Sequence, residues 1–416
     1  MQFLQNFVAK ILDFATHIIY DVNNLSFLII LDLIFRKRNF ILATLILEDG
    51  TKFKGKSFGA KAPDLNQIHL NKSVSEIVFN TSMSGYQQIL SDPSYKGQMV
   101  CFTYPQIGNY GIIKDEEETI LKEKIHVSAI VVKDYYKGKV DDERITINQY
   151  LLDNNIIGIS DIDTRALTLH LRDTGFKRAI IIKEDNIGKE EELFVINFLK
   201  AFPFISQKNL CKKVSTEISL TNPKIDEKPI NITSSVKCAL IDFGIKKSII
   251  KELYNRGVNV TLFNSDTDKT KILGKGFDLL FLSNGPGDPE TQEEAIQLVK
   301  DCKDKIPIVG ICLGHQIITL ALGGKTSKMK FGHHGANQPV TDLFTKKTFV
   351  TSQNHSFVTS TLPKESELWF VNSNDNSVEG IKFPKNNIMS VQFHPEASPG
   401  PKDSLWIFDE FIKGVK

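Results

Sequence analysis

The pattern Gly-x-Cys-x-Gly at residues 310–314 separates a short apolar run from a segment of helical composition. The run, residues 306–311, is rich in β-branched side chains, as expected of a strand buried on both faces of a parallel sheet. The following segment, residues 313–322, ends at two consecutive glycines, which are typical of a helix C-terminus. The pattern therefore predicts that Cys312 lies at a sharp strand-to-helix turn, like the nucleophile elbow of hydrolases. A helix N-terminus at that point stabilises the thiolate, the reactive form of cysteine.

A histidine far along the chain is the predicted partner of this thiol. His394-Pro395-Glu396 follows residues 387–393, which have the composition of another strand. Catalytic groups of open α/β sheets gather at strand ends, so we expect His394 to act as base and Glu396 to orient its imidazole. Taken alone, Cys312 is equally well explained as a buried apolar residue and His394 as a loop histidine. The elbow and the His-Pro-Glu motif together favour a nucleophile and its base.

These motifs, with Ser-Asn-Gly-Pro-Gly-Asp-Pro at residues 283–289, resemble the class I glutamine amidotransferase domain. The resemblance implies a triad of Cys312, His394 and Glu396 that releases ammonia from glutamine through a γ-glutamyl thioester. It also implies that the N–H groups of Leu313 and of the Gly285 loop stabilise the oxyanion. By itself the Gly285 loop is an ordinary turn between a strand and a helix.

The first half of the chain is similar to the amino-terminal domain of the carbamoyl phosphate synthetase small-subunit family. The likeness extends from about residue 43 to the C-terminus, and its most specific segments are residues 78–95, 103–111, 161–165, 328–335 and 393–401. Two alternatives remain. The chain could be the glutaminase part of another amidotransferase, against which residues 76–111 argue, or a non-catalytic docking subunit, against which the intact triad argues.

The resemblance also implies a set of glutamine-binding residues, each at its matching motif position: Ser94, Gly285, Gly287, Leu313, Gln316, Asn354, Ser356 and Phe357. Because Ser94 belongs to the first half of the chain, we expect the pocket to lie between two domains. Ser356 stands where many relatives carry glycine. Serine is compatible with a backbone contact at this position, but it is strained if the residue needs a positive φ.

No nucleotide-binding motif is recognisable in the chain, which lacks both the P-loop pattern and the third glycine of a dinucleotide fingerprint. We therefore expect no cofactor in this chain. Carbamoyl phosphate formation needs ATP, so the resemblance implies a separate large subunit that binds ATP and Mg and receives ammonia through an internal channel. It leaves open whether the product enters arginine or pyrimidine biosynthesis.

The composition excludes several other classes of function. A net charge of +2 from 51 basic and 49 acidic residues offers no electrostatic surface for nucleic acid. Five cysteines without framework spacing indicate free thiols in a reducing compartment. No Cys-x-x-Cys pair is present, and we assign His333-His334 to local hydrogen bonding, so we expect no metal site.

The pattern of elements predicts an α/β protein with two folded parts. We expect an N-terminal extension at 1–40, a smaller mixed α/β domain at 41–185, a connecting segment at 186–236, and an amidotransferase domain with a mostly parallel sheet flanked by helices at 237–416. Within the first domain, residues 41–57 are predicted as a hairpin with a type I′ turn at Asp49-Gly50. A helix is predicted from Thr164 to Asp173, with Asp163 as its cap.

The first forty residues depart from the family pattern. Apolar residues recur there at helical spacing, but the apolar stretch at residues 25–35 is shorter than the roughly 17–25 residues that span a bilayer. The segment has no basic start typical of a secretory signal, and its aspartates fit a transit peptide poorly. We interpret it as an appended helix or as translation from an upstream start, without membrane attachment. Cytoplasm or an organelle stroma such as that of a plastid is the expected location.

Overall fold

Seven strands of the amino-terminal half close into a barrel. The computed structural model describes residues 42–70, 73–183, 187–225, 235–413 and 415, so the predicted N-terminal extension lies outside the described residues. In chain order the strands are β1 (Leu42–Leu47), β2 (Lys52–Gly59), β3 (Ser75–Asn80), β4 (Gln98–Phe102), β5 (Gln106–Ile107), β6 (Ala129–Val131), β7 (Asp134–Tyr135), β8 (Ile157–Ser160) and β9 (Lys177–Ile182). The barrel order is β1-β2-β8-β6-β4-β3-β9, and β5 pairs with β7 outside it.

The barrel combines parallel and antiparallel neighbours. Strands β3, β4, β6 and β8 are joined by parallel pairings, and the other barrel pairings are antiparallel. The helices of this half are α1 (Tyr86–Ser91), α2 (Ile147–Asp153) and α3 (Thr164–Thr174). Strands β3 and β4 are buried on both faces, because one set of side chains fills the barrel and the other packs against helices and loops outside it. The predicted mixed α/β composition is confirmed, but barrel closure was not predicted.

The hairpin predicted at the start of this half is present, with a different turn. Strands β1 and β2 pair antiparallel, and the turn is closed by hydrogen bonds from Leu47 N to Thr51 O at 2.9 Å and from Gly50 N to Leu47 O at 2.9 Å. Of these two turn residues, Gly50 has a positive φ of 87°, whereas the φ of Asp49 is not positive. The predicted type I′ turn is therefore wrong, because the loop has three residues and needs left-handed backbone only at its glycine.

The predicted connecting segment contains a helix that sequence reasoning missed. Helix α4 (Lys189–Ala201) has glutamates at three positions of its first turn, which suit the positive end of the helix dipole. Glu191 also accepts a hydrogen bond from Gly188 N at 2.8 Å. Val195 and Leu199 bury the helix against the barrel. The charged composition concealed this helix, because only a narrow apolar face is needed for packing on the outside of a barrel.

A ten-stranded sheet forms the carboxyl-terminal half. Its strands are β10 (Leu220–Thr221), β11 (Lys237–Asp242), β12 (Asn259–Asn264), β13 (Leu279–Leu282), β14 (Ile308–Ile311), β15 (Lys325–Asp342), β16 (Thr348–Thr361), β17 (Glu367–Asn372), β18 (Val378–Phe383) and β19 (Ile388–Val391). The order is β10-β12-β11-β13-β14-β19-β18-β16-β15-β17. The five strands β12, β11, β13, β14 and β19 are joined by parallel pairings. The remaining neighbours are antiparallel.

The prediction of a mostly parallel sheet therefore holds for its core and is wrong for the sheet as a whole. The antiparallel part comes mainly from residues 325–383, where the two long strands carry runs of consecutive buried residues near their middle and are mostly partly or fully exposed elsewhere. Antiparallel sheets commonly tolerate such solvent exposure, whereas parallel sheets are buried on both faces. The parallel core is flanked by helices on both faces: α5 (Lys247–Asn255) and α8 (Ile407–Lys413) on one side, and α6 (Glu293–Cys302) and α7 (Leu313–Ala321) on the other.

Helix ends follow the predicted capping chemistry. Asp163 accepts a hydrogen bond from Ala166 N at 2.9 Å at the start of α3, and Gly175, with a φ of 85°, follows the end of that helix. Helix α7 stops before Gly323, whose φ is 88°. The predicted domain boundaries stay predictions. Among the described residues, no helix is both long and apolar enough to cross a bilayer.

Candidate active site

Cys312 lies at the predicted elbow, between the end of β14 and the start of α7. Its own backbone makes the sharp turn, with φ 54° and ψ −104°, a conformation that costs about 1–3 kcal/mol for a residue with a side chain. The flanking glycines serve close packing. A Cβ on Gly310 would meet the carbonyl carbon of Gly314 at 2.7 Å, and a Cβ on Gly314 would meet the Leu282 oxygen at 2.2 Å. Glycine is therefore needed at both flanking positions for space, and Cys312 itself takes the strained backbone conformation.

The sheet brings His394 to the same edge as Cys312. Strand β19 is the parallel neighbour of β14, with Val391 opposite Ile311, and Cys312 N donates to Val391 O at 2.9 Å. His394 follows this strand and is held by a hydrogen bond from its backbone N to Ser352 O at 2.8 Å. Its Nδ1 lies 2.6 Å from Glu396 Oε1. The structure thus brings the three predicted triad residues together.

All three residues of the triad are buried. Burial alone would lower the pKa of His394, but the charge of Glu396, followed by that of Cys312, raises it to about 10. Burial would raise the pKa of Glu396, but the charges of Lys246 and His394 and the hydrogen bond from His394 lower it to about 2. Among the residues that the structure describes, Nε2 of His394 has no hydrogen-bond partner, and the Cys312 thiol donates to Asn354 O at 3.5 Å. At neutral pH the arrangement is an imidazolium between a carboxylate and the cysteine sulfur.

Lys246 is a part of this site that sequence reasoning missed. Its Nζ is buried and lies 3.0 Å from Glu396 Oε1, and it also donates to Ala397 O. Burial would lower the pKa of Lys246, but the charges of Glu396, Glu118 and Asp92 raise it. A signal was present in the sequence, because Lys246 closely follows strand β11 of the parallel core and strand ends collect functional groups.

A cavity beside Cys312 is lined by both halves of the chain. The predicted glutamine-binding residues that line it are Ser94, Gly285, Gly287, Gln316, Asn354, Ser356 and Phe357. Leu313 does not line the cavity. It is the first residue of α7, where backbone N–H groups have no acceptor within the helix. Ser94, from the barrel half, accepts a hydrogen bond from Asn284 Nδ2 at 2.8 Å.

Ser356 fits its position without backbone strain. It lies within β16, it is not among the residues with positive φ, and its hydroxyl is 3.5 Å from Gln98 Nε2. Of the two possibilities that the sequence left open, the structure supports the unstrained one. A serine side chain replaces glycine here at the cavity wall.

Several further polar contacts tie the cavity walls together across the two halves. Asn354 donates to Asp92 Oδ2 at 3.1 Å and shares a hydrogen bond of 2.9 Å with Nδ1 of His334. Lys328 lies 2.8 Å from Glu76. Most of these residues lie in the segments that carry the family resemblance, but only the tertiary fold shows which of them pair with one another.

The two adjacent histidines make the local contacts that the sequence predicted. Nε2 of His333 lies 3.0 Å from Asp375 Oδ2, and His334 pairs with Asn354. In the part of the chain that the structure describes, the one cluster with potential metal ligands is His333, His355 and Glu379. Both ring nitrogens of His355 already have partners, at 2.8 and 3.1 Å. The absence of a metal stays a prediction. All five cysteines are free and buried, which confirms the predicted free thiols.

Comparison with known proteins assigns the two halves to two protein families. Residues 239–414 match the family described as glutamine amidotransferase class-I. Residues 45–181 match the family described as the CPSase domain of the carbamoyl-phosphate synthase small chain. The fold and site thus define a class I amidotransferase joined to a small-chain domain.

Relatives align with nearly their full length. The carbamoyl phosphate synthase small chain of Clostridium perfringens is 46% identical over 371 residues, which cover 89% of this chain and 99% of that protein. The small chain of Methanococcus maripaludis is 44% identical over 89% of this chain and 97% of its own length. That of Aquifex aeolicus is 42% identical over 89% and 98%. The chain belongs to the carbamoyl phosphate synthase small-chain family.

Proposed function

We propose that this protein is the glutaminase subunit of carbamoyl phosphate synthase and that Cys312 is its nucleophile. The observation that carries the proposal is the pairing of His394 with Glu396 at 2.6 Å, beside a cysteine at a strained elbow that faces a cavity between the two halves. The intact triad argues against a non-catalytic docking role, and the small-chain domain argues against another amidotransferase.

In this mechanism the Cys312 thiolate attacks the δ-carboxamide carbon of L-glutamine. Backbone N–H groups at Leu313 and the Gly285 loop stabilise the oxyanion, a contribution of about 10²–10³ in rate for one donor. His394, protonated at neutral pH, gives its proton to the departing amine. Ammonia leaves, and a γ-glutamyl thioester of Cys312 remains. Water then attacks the thioester while His394 accepts a proton, typically worth about 10²–10⁴ in rate. Glutamate and the free thiolate result.

The ammonia is passed to a large subunit. This chain has no recognisable nucleotide-binding motif. The ATP and Mg that carbamoyl phosphate formation from bicarbonate requires are therefore bound by that partner. The glutamine pocket uses Ser94, Gln316 and Asn354 as polar contacts, together with the other predicted residues of the cavity wall. The protein needs neither nucleic acid nor a membrane for this reaction.

A reconstituted complex with the large subunit tests this division of labour. Cys312→Ser should abolish glutamine-dependent carbamoyl phosphate synthesis and leave synthesis from ammonium salts intact, because only the first activity needs the thiolate. Equal loss of both activities would contradict the proposal. Incubation with a chloroketone analogue of glutamine should label Cys312 by mass spectrometry, and an unlabelled thiol in the wild-type chain would instead favour a docking subunit.

A further inference from the structure

An acidic loop of the barrel half packs against the amidotransferase half through its buried last residues. The loop, residues 113–119, runs between β5 and β6 and is held by helix α1. Gln87 exchanges two hydrogen bonds with the backbone of Ile113, of 2.6 and 2.9 Å, and Ser91 Oγ accepts from Glu118 N at 2.9 Å. Glu118 is only 4% exposed. A buried carboxylate needs strong partners, and those of Glu118 lie in the other half of the chain.

Each carboxylate oxygen of Glu118 accepts hydrogen bonds from the amidotransferase half. Oε1 accepts from Ser398 Oγ at 2.6 Å. Oε2 accepts from Ser248 Oγ at 2.7 Å and from Ser248 N at 3.1 Å. Ser398 is two residues beyond Glu396, and Ser248 is two residues beyond Lys246. One carboxylate therefore fixes the segments that carry both members of the ion pair behind His394.

The segment after Glu396 has a conformation that requires such support. Ala397 and Ser398 have φ values of 58° and 53°, and a non-glycine residue with such a backbone is strained unless its surroundings hold it in place. Lys246 donates to Ala397 O, so this segment is held from both sides. The negative charge of Glu118 also helps to raise the pKa of Lys246. Loss of Glu118 would free this segment to relax, and Glu396 would move with it.

We propose that Glu118 is a positioning residue for the triad: from the barrel half it fixes Ser398 and Ser248, and through them the Lys246–Glu396 pair that orients His394. The inference rests on the proposed glutaminase function and adds a dependence of that function on the barrel half. A carboxylate that merely tied two domains together would affect folding or assembly. A positioning residue affects the turnover of bound glutamine.

The experiment uses the full chain reconstituted with the large subunit. Glu118→Gln keeps the size of the side chain and replaces one acceptor oxygen by a donor. We expect kcat for glutamine hydrolysis to fall roughly 10- to 100-fold, the scale of a small misplacement of catalytic groups, with little change in KM. The rate of Cys312 labelling by the chloroketone analogue should fall by a similar factor. Synthesis from ammonium salts should be unchanged. Glu116→Gln, at an exposed position in the same loop, is the matched control and should resemble the wild type.

Ser398→Ala provides a second, milder variant. It should lower kcat in the same direction, and the double variant with Glu118→Gln should be no slower than Glu118→Gln alone, because both changes remove one interaction. The inference is overturned if both single variants keep the kcat of the Glu116→Gln control. It is also overturned if Glu118→Gln lowers glutamine-dependent and ammonium-dependent synthesis equally. A wild-type chain that hydrolyses no glutamine would instead refute the proposed function itself.

Discussion

Replacement of Lys246 by methionine tests the buried ion pair behind the triad. Methionine keeps an unbranched side chain of similar length and removes the positive charge. In the wild type the side chains of Lys246 and Glu396 are 3% and 0% exposed, and their charged atoms are 3.0 Å apart. Within the described part of the chain, the second oxygen of Glu396 has no hydrogen-bond partner. In the variant, His394 would be the only cation near this buried carboxylate among the contacts that the structure describes.

The expected loss of stability is large for a single charge. Removal of one partner of a buried ion pair costs about 3–5 kcal/mol, because the remaining charge stays buried. Lys385 offers a matched control. It lies 3.1 Å from Glu365 with the two side chains 81% and 70% exposed, and such exposed pairs contribute about 0–1 kcal/mol. In urea unfolding at neutral pH, the free energy of unfolding of Lys246→Met should therefore be lower than that of Lys385→Met by several kcal/mol.

The pH dependence provides a check on the cause. The pKa of Lys246 is raised above its ordinary value of 10.5, so its charge contributes fully to the stability of the folded state below that pH. The pKa of Glu396 is lowered from 4.5 to about 2, so its contribution is complete above pH 4.5 and disappears as the pH falls toward 2. The loss of Lys246 removes the main cause that lowers the pKa of Glu396, so Glu396 is protonated at a higher pH in Lys246→Met than in the wild type. The stability gap between the two proteins should therefore be largest at neutral pH and should narrow as the pH falls and Glu396 is protonated.

Activity should fall together with stability in the Lys246 variant. Without Lys246, Glu396 and Ala397 O each lose a hydrogen-bond donor that positions them. We therefore expect kcat for glutamine hydrolysis to fall by about 10²-fold. Folded complex should still use ammonium salts. A stability loss no greater than that of Lys385→Met, or a gap that does not change as the pH falls, would refute the argument that a buried charge pair supports the triad.

Two other predictions concern the elbow and the imidazole. In Gly314→Ala the added Cβ would lie 2.2 Å from the Leu282 oxygen. The free energy of unfolding in urea should therefore fall by about 1–3 kcal/mol, and Cys312 labelling by the chloroketone analogue should slow. Labelling at the wild-type rate would contradict this. Because the pKa of His394 in the free protein is raised to about 10, kcat/KM for glutamine should vary little from about pH 7 to 9 and decline as the proton is lost at higher pH. A decline centred near the ordinary histidine pKa would show that the ion pair is not formed.

The convergence of Cys312 and His394 was predictable because each of them leaves a local signal. Cys312 lies between an apolar run and a helix, and His394 follows a second apolar run. Parallel strands present their carboxyl ends at one edge of the sheet, so two strand ends separated by many residues in sequence converge in space. The helix capped by Asp163 was predictable for the same reason, since a cap acts within one turn. In these two cases the physical cause and the sequence pattern are both local.

The parts that were missed depend on contacts between distant residues. Barrel closure requires β9 to pair with both β1 and β3, and no single strand records that closure. The antiparallel extension of the second sheet escaped assignment because residues 325–383 carry many polar side chains in partly exposed strands. Helix α4 escaped because its apolar face is narrow. In each case the packing partner, rather than the segment itself, determines the structure.

The polar support of the triad shows this limit most directly. Ser94 and Asn284 are 190 residues apart in sequence, Asp92 and Asn354 are 262 apart, and Glu118 and Ser398 are 280 apart. Each pair joins the barrel half to the amidotransferase half, and each lies near the cavity wall or the segment behind His394. An isolated amidotransferase half would retain Cys312, His394 and Glu396 but would lack one partner of every such pair. The proposed nucleophile therefore belongs to one half of the chain, whereas the polar contacts around its site come from both.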